Sequence, residues 1–119
     1  MSVNEVANEL ISLCRQGQFD EAVSRLYAAD IVSKEAMGDP QVVTGIDAVK
    51  AKGEWFAKSF DIHGVEVNGP FIYGDQFAVE FKIDATNHQT NERSQMHEIA
   101  LYTVRDGKVA EEVFLYATK

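Results

Sequence analysis

Glu98, Tyr102, Glu112, Phe114 and Tyr116 lie in the last quarter of the 119-residue chain, where Ser94 to Tyr116 reads as two alternating strands joined at Asp106-Gly107. Carboxylates interleaved with aromatics at a period of two make a sheet face suited to a small, mostly apolar molecule. Two nearby carboxyl groups in a poorly solvated site share a proton, which leaves one acid and one base. Glu98, deeper in a longer strand, is expected to point inward more than Glu112. Tyr102 and Tyr116 can donate hydrogen bonds to a ligand oxygen, or can be core residues with their hydroxyls bonded elsewhere.

Glu35 is a third carboxylate of interest. It ends a strand on a face shared with Ile31 and Ser33 and precedes a loop, Met37 to Val43, that holds Gly38, Asp39 and Pro40. At the rim of an apolar cavity its pKa would rise, and it could act as a general base. The same spacing also suits a solvated glutamate at a strand end. Trp55, Phe56, Phe60 and Phe81 are expected to line the cavity with Phe114 and Tyr116.

The elements that must position these groups follow from periodicity. Val3, Val6, Leu10, Leu13 and Cys14 recur at helical spacing before Gly17 and predict a helix over Asn4 to Gln16. A shorter helix, capped by Asp20, carries Phe19, Val23, Leu26 and Tyr27 and ends near Ala29. Asp30 to Ala36 alternates as a strand. Thr44 and Asp47 have the form of a capping box for a third helix reaching Ser59, with Ile46, Val49, Gly53, Phe56 and Phe60 on its apolar stripe. Beyond Ile62 the period is two, with strands at Ile62 to Asn68, Gln76 to Ala85, Gln95 to Arg105 and Val109 to Thr118. Helices first and strands afterwards define an α+β domain in which three helices cover one face of a curved antiparallel sheet.

Two registers are open to the last hairpin. A two-residue turn at Asp106-Gly107 pairs Arg105 with Lys108 and sets Tyr102 beside Glu111. A three-residue loop pairs Val104 with Lys108, sets Tyr102 beside Ala110 and gathers Glu98, Ala100, Tyr102, Glu112, Phe114 and Tyr116 on one face. The second is favoured because it strands fewer charges among aliphatics. Behind that face lie Ile99, Leu101, Val109, Val113 and Leu115, an aliphatic surface expected to pair two copies as a homodimer.

Composition narrows the function classes. A formal net charge of −8, with 11 scattered Lys and Arg, speaks against nucleic acid or an anionic membrane as partner. No stretch approaches a membrane span, and Met1 to Leu10 lacks the basic leader and apolar run of a signal peptide. The lone Cys14 sits on a helix stripe, so a buried thiol and a reducing, cytoplasmic setting are expected. His63, His88 and His97 have no metal-ligand spacing with one another or with Cys14, and no metal or cofactor is expected. His97 falls on the aliphatic back and His88 in a surface loop. Neither a serine elbow nor a phosphate-binding or dinucleotide fingerprint is present.

The stretch Leu26-Tyr27-Ala28-Ala29-Asp30-Ile31-Val32-Ser33-Lys34-Glu35, the helix opening Gly45-Ile46-Asp47-Ala48-Val49, and Tyr102 to Val109 followed by Glu112 to Tyr116 occur in a suggestive order. Together they resemble the SnoaL-like branch of the nuclear transport factor 2-like superfamily, which includes ketosteroid isomerase, and the resemblance spans nearly all of residues 1–119. It implies one cone-shaped domain of cystatin-like fold with a ligand pocket. Alignment through Tyr27-Ala28-Ala29-Asp30 sets Glu35 at the proton-abstracting aspartate of the isomerase. Leu10 and Ala100 stand where the isomerase has its oxyanion-binding tyrosine and aspartic acid, so that hole is not carried over; Glu98 or Tyr102, beside Ala100, could replace it. None of Arg15, Arg25, Arg93 and Arg105 has the inward position used by epoxide hydrolases of similar fold. The resemblance therefore implies a pocket with acid–base chemistry of isomerase, cyclase or lyase type, or a non-catalytic binding or association module.

Overall fold

A computed structural model describes residues 1–117; the predicted end of the last strand at Thr118 lies outside them. The chain runs α1 (Val3–Arg15), α2 (Phe19–Leu26), β1 (Tyr27–Lys34), β2 (Val42–Thr44), α3 (Ile46–Ser59), β3 (Phe60–Tyr73), β4 (Gln76–Asn87), β5 (Arg93–Arg105) and β6 (Lys108–Leu115). The expected order of helices and strands is present, and the short β2 is an addition that starts in the expected loop and ends at Thr44.

Capping differs from expectation at two helices. Ser2 caps α1 through a reciprocal box: its Oγ accepts from the Glu5 N–H at 3.1 Å, and the Glu5 carboxylate accepts from the Ser2 N–H at 3.0 Å. Asp20 does not cap α2; the N-cap is Gln18, without a side-chain bond, and Asp20 lies in the first turn. That helix ends at Leu26, because Tyr27 already has the extended backbone that opens β1. Thr44 and Asp47 form no capping box, since the N-cap of α3 is Gly45 at φ +97°, a conformation that suits glycine.

The sheet order is β2-β1-β6-β5-β4-β3. Its pairs are antiparallel except β1 with β6, which run parallel. Helices α1 and α3, with α2 packed against both and against β1, cover one face, where Val6, Leu10, Leu26, Ile31, Phe77, Val79 and Val109 are fully or almost fully buried. Cys14 is in this core, where burial pushes its thiol pKa up to about 12.

The last hairpin corrects the favoured register. Asp106 and Gly107, at φ +51° and +74°, form a two-residue turn, so Arg105 opposes Lys108 and Val104 opposes Val109. Positive φ at both central positions is what a type I′ turn requires. A bulge follows, in which Thr103 meets Glu111 and Ala110 is the extra residue. Beyond it Tyr102 pairs with Glu112 and Ala100 with Phe114. The segregation of chemistries is thus achieved by a bulge inside β6 instead of a longer loop. One residue changes sides: Val109, expected on the aliphatic back, is completely buried in the core.

Candidate active site

Cross-strand rows order the inner face of the sheet. Phe77, Tyr102, Glu112 and Ser33 form one row, Val79, Ala100 and Phe114 the next, and Phe81 with Glu98 a third. Alternation along each strand keeps these residues on one face, so carboxylates from β5 and β6 share the inner side of the sheet.

Glu112 is the deepest of the acids, at 2% exposure, whereas Glu98 is only half-buried, the reverse of the expected depth. A carboxylate so far from water needs donors. The Tyr27 hydroxyl donates to its Oε1, and the Ser33 hydroxyl donates to Oε2 at 2.7 Å. Burial pushes its pKa up, and these two hydrogen bonds and the charge on Lys52 oppose the rise.

Lys52 links the buried acid to the surface. Its Nζ donates to Ser33 Oγ at 2.6 Å and to Glu35 Oε2 at 2.7 Å, and lies 5.1 Å from the centre of the Phe114 ring. Tyr116 completes the chain by donating to Glu35 Oε1 at 3.1 Å. Its own pKa is raised by burial and then by the Glu35 charge. With Glu35 and Lys52 side chains 23% and 28% exposed, solvent reaches this end of the chain.

Glu98 stands beside this network without joining it. Among the described residues no side chain or backbone group donates to its carboxyl. Burial pushes its pKa up to about 7, and the negative charges of Glu35 and Glu112 add to the effect while Lys52 opposes it. A carboxyl half ionised near neutral pH can both accept and return a proton.

The other expected site residues divide between the cluster, the core and the surface. Phe114 and Tyr116 contact the network as described. Tyr102 is 2% exposed, with its ring stacked on Phe77 at 4.9 Å, and desolvation holds its pKa well above 10. Phe81, 4% exposed, is likewise core. Phe56 and Phe60 stack at 4.8 Å and are partly buried. Trp55 is no wall residue: at 64% exposure it projects into solvent, one position off the inward stripe of α3. Two open surface depressions, of about 400 and 580 Å³, lie near the start of α3 and around α2, and neither is lined by the acid cluster.

Lys52, Tyr27 and Ser33 carry the network, yet residue type alone marks none of them for chemistry. Lys52 had a detectable signal: it lies three residues after Val49 and four before Phe56, inside the apolar stripe of α3. His63, His88 and His97 are engaged away from the cluster, with Thr86, Asp61 and Glu80. The arginines lie elsewhere too: Arg15 donates to the Val67 carbonyl at 3.0 Å, while Arg25 pairs with Glu9 and Glu21 and Arg93 with Asp84. Among the described residues no group of three or more His, Cys, Asp or Glu side chains is arranged to hold a metal ion, and no helix is long and apolar enough to cross a membrane.

Three N-terminal helices over one face of a curved six-stranded sheet, with an acid cluster on that face, define an α+β protein of the cystatin-like, nuclear transport factor 2-like fold. The chain belongs to the SnoaL-like domain family, whose model matches residues 1–116. It is 42% identical to a Mesorhizobium loti protein provisionally named a SnoaL-like polyketide cyclase, with carbohydrate phosphatase as a second term. The match covers 98% of this chain and 100% of that one at a TM-score of 0.94. A nuclear transport factor 2-like protein of unknown function from Burkholderia pseudomallei is 14% identical, with coverage of 98% and 92% and a TM-score of 0.81. A Xanthomonas campestris protein of unknown function and cystatin-like fold is also 14% identical, covering 99% and 92% at a TM-score of 0.81. No curated protein matches the chain.

Proposed function

We propose that the acid cluster performs acid–base chemistry, of isomerase, cyclase or lyase type, on a small, mostly apolar compound bearing a carbonyl or hydroxyl group. The observation that carries this reading is Glu98: a half-buried carboxyl, free of hydrogen bonds among the described residues, next to Glu35 and Lys52. Glu98 moves the proton. Glu35, the expected base, is held by Lys52 and Tyr116 and is a positioning partner of Lys52. Phe56, Phe60 and Phe114 give the ligand apolar surroundings. Proton transfer between carbon and oxygen needs only carboxyl groups and a place for negative charge, so no cofactor enters the scheme. The polyketide cyclase name of the Mesorhizobium loti relative supports a carbonyl substrate.

Carbon-13 NMR of the glutamate carboxyls, with Glu98 assigned by comparison to Glu98→Gln, tests the reading. A midpoint near 7 is expected; a midpoint near the ~4.3 of free glutamate assigns the chain to non-catalytic binding instead. We further propose that a second copy covers the outer face of the sheet. Ile99 and Leu115 are exposed there at 42% and 54%, with Leu101 and Val113 beside them in half-buried positions. An apolar patch of this kind is what a two-fold interface buries.

A further inference from the structure

We infer that Lys52 is the oxyanion donor of this site, presenting a free N–H to the ligand oxygen while a buried chain of Ser33, Glu112 and Tyr27 holds it in place. This rests on the reading of Glu98 as the proton-transfer group and names the residue that stabilises the negative charge.

An ammonium group has three N–H donors and no acceptor. Lys52 uses one on Ser33 Oγ at 2.6 Å and one on Glu35 Oε2 at 2.7 Å, and the third has no hydrogen-bond partner among the described residues. Because Nζ can only donate, Ser33 must accept from it and can give its single proton only onward, to Glu112 Oε2 at 2.7 Å. Glu112 is fixed in turn by Tyr27, so a lysine on a solvent-reachable helix face is oriented by a carboxylate that is 2% exposed. Fixing two donors leaves the third aimed without a reorganisation cost at the moment charge develops, the condition under which such a donor is most effective. It also supplies what Leu10 and Ala100 cannot, since neither side chain can donate a hydrogen bond.

The step balances. A C–H bond beside the ligand carbonyl breaks, its proton passes to the Glu98 carboxylate, and the electron pair moves to the carbonyl oxygen, which Lys52 receives. The same proton then returns from Glu98 to another carbon, or to the alkoxide formed when the enolate carbon attacks a second carbonyl. Ser33, Glu112 and Tyr27 touch no reacting atom and act as positioning residues.

The test uses 4-nitrophenol, whose phenolate absorbs visible light, as a probe that needs no turnover. Wild-type protein is expected to bind the phenolate at least about tenfold more tightly than the phenol, as a charge-assisted hydrogen bond implies, so the bound probe ionises at lower pH than the free one. Lys52→Met is expected to abolish that preference. Should Lys52→Met fail to fold, Lys52→Gln, which keeps a polar group without the charge, gives the same reading. Ser33→Ala is expected to weaken the preference in part, with the charge still present. Glu98→Gln is expected to retain it. A wild type without preference or without saturable binding, or a Lys52 variant that keeps the preference, overturns the inference. Carbon-acid exchange that survives in Glu98→Gln, with the phenolate preference lost in Lys52→Met, overturns the functional reading alone.

Discussion

Tyr27→Phe removes one oxygen atom, and the structure sets the size of the effect. The Tyr27 hydroxyl donates to Glu112 Oε1, and with Tyr27 at 8% and Glu112 at 2% exposure no solvent is at hand to replace it. A hydrogen bond to a charged group contributes about 1.5–3 kcal/mol, so a loss of about 2 kcal/mol in unfolding free energy is expected near pH 8. The pH dependence follows from the same contact. Burial already raises the Glu112 pKa, and the Tyr27 bond is among the influences that hold it down. Without that bond the folded variant retains the proton to higher pH than wild type does. Its deficit therefore widens as pH rises and narrows as pH falls, because a protonated Glu112 needs the donor less. Urea unfolding of both proteins at pH 5 and pH 8 reads the difference directly. A Tyr27→Phe protein within about 0.5 kcal/mol of wild type at both pH values, the range of ordinary surface changes, would refute a buried carboxylate cradled by this hydroxyl.

Two further outcomes are expected. Glu98 retains its proton in the folded state between 4.5 and about 7, whereas the unfolded chain loses it near 4.5. Wild type should thus lose stability relative to Glu98→Gln as pH rises through that window, by up to about 3 kcal/mol at about 1.4 kcal/mol per pH unit; parallel urea midpoints for the two proteins from pH 4 to pH 8 would contradict this. Ile99→Glu, which places a charge in the outer apolar patch, should convert a dimer to a monomer by analytical ultracentrifugation without changing the circular dichroism spectrum, and a wild type that sediments as a monomer at micromolar concentration would remove the dimer.

Much of the scaffold was legible because its signals are local. The α1 stripe from Val6 to Cys14 and the alternation Phe77, Val79, Phe81 and Ile83 both mark residues that are buried in the fold. Register was harder. Asp106-Gly107 announces a turn, but the bulge at Ala110 that sets Tyr102 opposite Glu112 depends on burying Val109, a tertiary effect with no residue type to betray it. The carboxylates were visible as residues on a mixed face, while their depths were not: Glu112 is buried because Tyr27 and Ser33 of a distant strand supply its donors. Tyr27 reads in sequence as part of the α2 stripe, since a helix ending at Leu26 and one ending at Ala29 look alike. Lys52 escaped because lysine usually reaches solvent, and only its place among Val49 and Phe56 distinguishes it. Trp55 misled in the opposite direction, its size suggesting burial while one step of helix phase turned it outward.

Deuterium exchange at carbons beside a carbonyl, followed by proton NMR in D2O over a panel of small cyclic and linear ketones and diketones, asks whether the cluster does chemistry at all. Wild-type protein should accelerate exchange for at least one compound, and Glu98→Gln should reduce that rate by about 10²-fold or more, the usual contribution of a positioned acid–base group. Exchange at the uncatalysed rate throughout the panel, or a rate that Glu98→Gln leaves unchanged, would contradict the assignment of Glu98 as the group that moves the proton.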